Sequence, residues 1–200
     1  MKIILNLFIL VLLTACGSDA PQLSMLSTSD VILAFGDSLT EGVGAKESES
    51  YPAVLQQLSG RKVINAGISG EESTPGLARF PALLEEHQPK LLILCHGGND
   101  ILRKRNLGTM KQNVRQMIQL AQDKNIPVVL LGVPNFGLFL SSYEGYKEIA
   151  ESTGVIFMED LIPNILEDKS LKADTVHPNK EGYKIMAEKI YSVLQESGAL

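Results

Sequence analysis

Tryptophan is absent from the 200 residues, cysteine occurs twice and histidine three times. Two cysteines exclude a disulfide framework. His, Cys, Asp and Glu nowhere cluster at metal-ligand spacing, and no phosphate-binding glycine fingerprint occurs. The expectation is therefore chemistry without a metal or a cofactor. Positive charge is short as well, with 18 Lys and Arg against 23 Asp and Glu and a net charge of −5. Nucleic-acid binders need a basic face, so no nucleic-acid partner is expected. Proline is sparse at 9 residues, which argues against wholesale disorder. What the chain does have is 44% hydrophobic residues, enough for the core of one domain.

Residues 3–13 are apolar apart from Asn6 and follow Lys2. They are too short to span a bilayer comfortably and have the form of a targeting segment. Leu13-Thr14-Ala15-Cys16 comes next and resembles the lipobox of bacterial lipoproteins, where the chain is cut before the cysteine and the thiol and new amine are acylated. Ordinary secretion, with Ala15 as the small residue of a cleavage site, is the alternative. The lipobox reading gives a signal peptide over 1–15, a lipidated Cys16 with a flexible linker over 16–30, and a domain over 31–200. It implies attachment to the cell envelope of a bacterium, facing the periplasm or in the outer membrane if the cell is Gram-negative. Cys95 closes the apolar run Leu91-Leu92-Ile93-Leu94 and reads as a buried, inert thiol.

Short apolar runs alternate with helical periodicity along the rest of the chain. Strands are expected at 31–33, 62–65, 90–95, 127–133 and 155–157, and helices at 51–58, 73–86, 108–124, 141–153 and 178–194. Pro81 is expected to kink or delay the second helix, and Pro178 suits the first position of the last. Residues 159–173 read as irregular or partly helical. This alternation implies parallel βαβ units: an α/β three-layer α/β/α sandwich on a five-stranded, parallel, doubly wound, flavodoxin-like sheet.

In such a sheet, ligands bind at the carboxyl edge of the strands. Ser38 stands there in Ala34-Phe35-Gly36-Asp37-Ser38-Leu39-Thr40-Glu41-Gly42, just past the first strand. Taken alone, Ser38 reads equally well as the cap of a turn. The loops after the second and third strands bring Gly70 and Asn99 to the same edge. Asp174-Thr175-Val176-His177 sets a carboxylate three residues before an imidazole. That spacing lets the carboxylate reach one ring nitrogen while the other faces outward, as a general base requires.

Gly36-Asp37-Ser38-Leu39, the glycine of Ile68-Ser69-Gly70, Gly97-Gly98-Asn99-Asp100 and Asp174-x-x-His177-Pro178 together resemble the four blocks of SGNH (GDSL-type) hydrolases, in that order. The likeness runs over about residues 31–193. It is strongest to the bacterial branch of thioesterase I, lysophospholipase and arylesterase, and includes Gly76-Leu77-Ala78-Arg79-Phe80. The resemblance implies that Ser38 is the nucleophile, His177 its base and Asp174 the group orienting the imidazole. The oxyanion hole would be the backbone N–H groups of Ser38 and Gly70 with the Asn99 amide, which donates without titrating. The Gly-x-Ser-x-Gly elbow of α/β-hydrolases is missing; Gly67-Ile68-Ser69-Gly70 mimics it one residue short, which leaves Ser69 a loop serine. His87 reads as solvated. His96 borders the site, where it either lines the site or packs against the sheet; no carboxylate adjoins it in sequence, so packing against the sheet is the expectation.

Two loops are expected to shape an acyl pocket, 101–107 and 133–140. Val133, Pro134, Phe136 and Leu138 are its candidate lining, because the second loop is unusually apolar; packing on the core is the alternative. Arg103-Lys104-Arg105 would place three positive charges near the mouth, either as a solvated face or to attract anionic head groups. The implied partner is a carboxylic ester or thioester, with lysophospholipase or arylesterase activity first. Deacetylation of envelope polysaccharide and an inactive envelope-binding lipoprotein are the competing readings.

Overall fold

The computed structural model describes residues 22–135 and 140–200. Five strands, β1 (Val31–Gly36), β2 (Lys62–Gly67), β3 (Leu91–Cys95), β4 (Val128–Leu131) and β7 (Ile156–Met158), form one all-parallel sheet in the order β2-β1-β3-β4-β7. The expected three-layer α/β architecture is what the chain adopts. The three central strands read as unbroken apolar runs because both faces are covered: Ile32 to Phe35, Leu91 to Cys95 and Val128 to Leu131 are all buried. Edge strand β2 leaves Lys62 and Asn65 exposed. Helix α2 (Tyr51–Ser59) packs with α8 (Lys180–Glu196) and α7 (Leu161–Glu167) on one side of the sheet, while α3 (Ser73–His87), α5 (Leu107–Gln122) and α6 (Gly145–Thr153) pack together on the other.

The chain runs outward from β1 to β2, then returns past β1 to β3 and continues the opposite way. The strand order therefore reverses between β1 and β3, and a crevice opens there at the carboxyl edge. Two short helices rise from it, α1 (Ser38–Glu41) after β1 and α4 (Gly98–Leu102) after β3. At the end of β1 a side chain on Gly36 would overlap the Cys95 carbonyl oxygen, so this junction tolerates only glycine.

Several expectations need correction. Helix α3 is continuous through Pro81, because that residue lies on the exposed side where a missing N–H is cheapest. Pro178 is not the first residue of α8; Asn179 caps the helix, its Oδ1 accepting the Gly182 N–H at 3.1 Å, and the helix begins at Lys180. Helix α6 begins at Gly145 rather than 141, since residues 141 and 142 are taken by a small antiparallel ribbon of β5 (Pro134–Asn135) and β6 (Ser141–Ser142). Residues 159–173 are partly helical, as expected, with α7 and a 3₁₀ turn over Lys169–Leu171.

The stretch expected to be linker is not all tether. The Leu23 and Leu26 amides donate to the carbonyls of Ser197 and Ala199, each at 2.8 Å, and Leu26 is buried. Residues 1–21, on which the expected signal peptide and the Cys16 anchor fall, lie outside the described residues. No helix among the described residues is long and apolar enough to cross a membrane.

Candidate active site

Ser38 is the first residue of α1, where an amide N–H has no partner within the helix. Asp37 caps that helix: its Oδ1 accepts the Leu39 N–H at 3.2 Å. Burial pushes the Asp37 carboxyl above its ordinary value. Gly42, at φ 102°, ends the helix after one turn and sends the chain toward α8, where the Tyr183 hydroxyl donates to the Val43 carbonyl at 2.8 Å.

Across the crevice, one carboxylate shapes the loop before α8. Asp174 Oδ1 accepts the Val176 and His177 N–H groups at 2.8 and 2.9 Å, while its Oδ2 lies 2.8 Å from His177 Nδ1. Burial opposes ionisation of Asp174, but the His177 hydrogen bond and the two amides outweigh it and hold the carboxyl below its ordinary value. An ionised Asp174 only accepts, so Nδ1 carries the proton. His177 Nε2 is then an acceptor and lies 3.0 Å from Ser38 Oγ, 139 residues away in sequence. A hydroxyl, an imidazole and a carboxylate are thus in series, an arrangement able to activate the hydroxyl as a nucleophile.

Asn99 lies in α4 on the other side of Ser38. Its Nδ2 donates to the Glu71 carbonyl at 3.1 Å and, more weakly, to Asp37 Oδ2 at 3.3 Å. Gly70 precedes Glu71 with φ 76°, a left-handed backbone that favours glycine. Ser38, Asn99 and His177 line one narrow cleft together with Leu39, Leu102, Val133 and Val176.

Of the expected pocket residues, Val133 lines this cleft, and Pro134 is buried but belongs to the β5–β6 ribbon. Phe136 and Leu138 lie outside the described residues. Leu102, within the expected 101–107 stretch, is 44% exposed at the cleft and gives it an apolar lip. The basic run is less free than its sequence suggests: Arg103 and Arg105 both pair with Glu72, at 2.8 and 3.1 Å. A much larger groove between β7, α7 and α8 shares no residue with the cleft.

His96 packs against the sheet as expected and gains a partner that no sequence neighbour supplies. It is fully buried and stacks near Phe35, as packing against the sheet requires, yet it has a carboxylate partner: Glu71 Oε2 lies 3.1 Å from its Nε2. The Gly97 N–H donates to Nδ1 at 3.0 Å, so the proton sits on Nε2 and the ring is neutral. Glu71 also accepts from Arg79, at 2.8 Å from Nε and 2.6 Å from Nη2. Burial acts against the Glu71 charge, but the His96 and Arg79 hydrogen bonds prevail and lower the carboxyl to about 2. Arg79 further donates to the Ala66 carbonyl at 2.9 Å and lies over the Phe35 ring. The signal in the sequence was weak, because Glu71 precedes His96 by 25 residues and no helix or strand spacing relates them.

The profile of the GDSL-like lipase/acylhydrolase family matches residues 34–185. Thioesterase 1/protease 1/lysophospholipase L1 of Escherichia coli (strain K12) is 33% identical over 179 residues, covering 84% of this chain and 85% of that protein. An arylesterase of Vibrio mimicus is 32% identical over 184 residues, covering 86% and 90%. Among solved structures, the psychrotrophic esterase EstA from Pseudoalteromonas sp., inhibited by monoethylphosphonate, aligns with a TM-score of 0.74 at 27% identity, over 84% of this chain and 98% of that one.

Proposed function

This chain belongs to the GDSL-like lipase/acylhydrolase family and is an ester hydrolase, and from that premise we propose that it works through an acyl-enzyme on Ser38. The observation that carries the mechanism is the series Ser38 Oγ, His177 Nε2 at 3.0 Å, and His177 Nδ1 to Asp174 Oδ2 at 2.8 Å. Ser38 Oγ attacks the acyl carbon as its proton passes to His177 Nε2. The C=O electron pair moves onto oxygen, and Asp174 stabilises the imidazolium and holds its tautomer. As the tetrahedral intermediate collapses, Nε2 returns the proton to the departing alcohol or thiol and the acyl group stays on Ser38. Water then repeats the sequence with His177 again as base, and Ser38 leaves protonated.

The oxyanion is received by the Ser38 and Gly70 N–H groups and by Asn99. Of the two Asn99 bonds, the longer one to Asp37 is the one an oxyanion would replace. The apolar lip of Leu39, Leu102, Val133 and Val176 suits the acyl part of the substrate. That lining, with relatives named lysophospholipase and arylesterase, favours acyl esters and thioesters over an acetylated polysaccharide. An activated serine also separates this reading from an inactive binding protein. A fluorophosphonate should add one phosphonyl group to the protein, on Ser38 by peptide mass analysis. No adduct, or an adduct on Ser69, contradicts the reading.

Residues 13–16 further support a lipid anchor on Cys16 and a place in the bacterial cell envelope. Cys16→Ser should then move the protein from the membrane to the soluble fraction with its esterase activity intact. Quantitative sedimentation of that variant with membranes in high salt contradicts the anchor.

A further inference from the structure

The loop over residues 68–72 carries Gly70, and its Glu71 carbonyl holds the Asn99 amide. It is fastened at both ends. The Ile68 N–H donates to the Gly36 carbonyl at 3.2 Å, the Ser69 N–H donates to Glu41, and Ser73 gives its N–H and hydroxyl to Asp100 at 2.8 Å each. Between those ends Arg103 donates to the Gly70 carbonyl at 2.8 Å and pairs, with Arg105, with Glu72 on the exposed side, while the Glu71 side chain, only 7% exposed, is gripped from the sheet side by Arg79 and His96. Arg79 is itself tied to the Ala66 carbonyl and, at 3.4 Å, to the Gly36 carbonyl two residues before Ser38.

We propose that Glu71, clamped by Arg79 and His96, is a positioning residue for the oxyanion donors: its carboxylate fixes the loop to the sheet edge from which Ser38 emerges, and its own carbonyl aims the Asn99 amide. This inference rests on the oxyanion role of Asn99 given above. The ion pair and the aimed group belong to one residue, so movement of the carboxylate is passed directly to the Asn99 acceptor. His96 suits the task because both of its nitrogens are committed, Nδ1 to the Gly97 N–H and Nε2 to Glu71. The Tyr146 hydroxyl anchors the same segment through the His96 carbonyl at 2.7 Å. Gly76 keeps room for the ring, since a side chain there would overlap His96. Arg79 suits it because a planar fork meets the carboxylate through two nitrogens, which a lysine cannot do.

Such a role predicts coupling with Asn99, whereas a merely structural role predicts none. The test is a double-mutant cycle on a p-nitrophenyl ester with full-length protein, each variant checked by circular dichroism. Arg79→Lys and Glu71→Gln should lower kcat by about 10-fold with KM nearly unchanged, because mispositioned donors act in the transition state. Asn99→Ala should cost about 10²–10³ in kcat by itself. In the Asn99→Ala background, the Arg79 and Glu71 substitutions should cost at most about 3-fold, the remainder acting through Gly70. The partly exposed Arg79 makes Arg79→Lys informative even if Glu71→Gln folds poorly. Equal losses in both backgrounds, or a loss confined to KM, overturn the positioning role and leave Asn99 as oxyanion donor. An Asn99→Ala variant with undiminished kcat overturns both.

Discussion

His177 and His96 each place a ring nitrogen against a carboxylate, at 2.8 and 3.1 Å, the first lining the cleft and the second buried beneath it at the end of β3. They differ in what the other nitrogen meets. In His177 it faces the Ser38 hydroxyl, and the side chain is 17% exposed where a substrate can arrive. In His96 it accepts a backbone N–H and the ring is sealed from solvent. The first imidazole can take up a proton and give it back; in the second the Nδ1 lone pair is taken by the Gly97 N–H and the Nε2 proton is held by Glu71, so neither is offered to a substrate. A histidine–carboxylate pair is therefore not a mark of general-base chemistry. The marks are an unoccupied basic nitrogen and a group beside it with a proton to lose. The carboxylates differ too: Asp174 is 52% exposed and shapes a turn of its own loop, whereas Glu71 is buried and joins distant segments.

The two pairs separate most visibly at Asp174. Asp174→Asn removes the acceptor that fixes the Nδ1–H tautomer of His177, and kcat should fall by about 10⁴ with little change in the fold. Steady-state rates on a neutral ester read this directly. A loss of less than about 10-fold would mean that the imidazole is oriented by something other than Asp174.

A smaller effect, on stability, is expected at Glu71. Glu71 has a folded value of about 2 against an ordinary 4.5, so its contribution is complete above about 4.5 and is lost as pH falls toward about 2. Wild type should exceed Glu71→Gln by on the order of 2 kcal/mol in urea unfolding near pH ~6, and the difference should shrink steadily below about pH 4. A difference that stays constant across that range would show that the carboxylate charge does not hold this cluster together.

These two sites were unequally legible in the amino-acid sequence. Asp174 and His177 are three residues apart and announce their pairing; Ser38 and Asn99 sit at strand ends, where an apolar run stops and glycines begin. The sheet was legible for the same reason, since buried parallel strands such as 91–95 write themselves as unbroken apolar runs. The Glu71–His96 pair left no such trace, because it forms only when the loop after β2 and the end of β3 are brought together by strand order. The β5–β6 ribbon was missed because two-residue strands carry no periodicity. Pro178 misled because proline suits the residue before a cap as well as the first turn, and only the Asn179 side-chain bond decides between them. Within the expected 16–30 linker, the attachment of Leu23 and Leu26 is not legible, because polar composition does not reveal the backbone partners offered by residues 197 and 199.

If one imidazole activates Ser38 while the other only holds the frame, the rate of Ser38 phosphonylation separates them. A fluorophosphonate reacts with the activated hydroxyl, and the rate can be followed by intact mass in wild type, His177→Gln and His96→Gln. His177→Gln should lose at least about 10³ in that rate, because the proton acceptor is gone, and His96→Gln about 10-fold, because only the donor frame is loosened. Comparable losses in the two variants, or a larger loss in His96→Gln while its circular dichroism matches wild type, would contradict this division of roles.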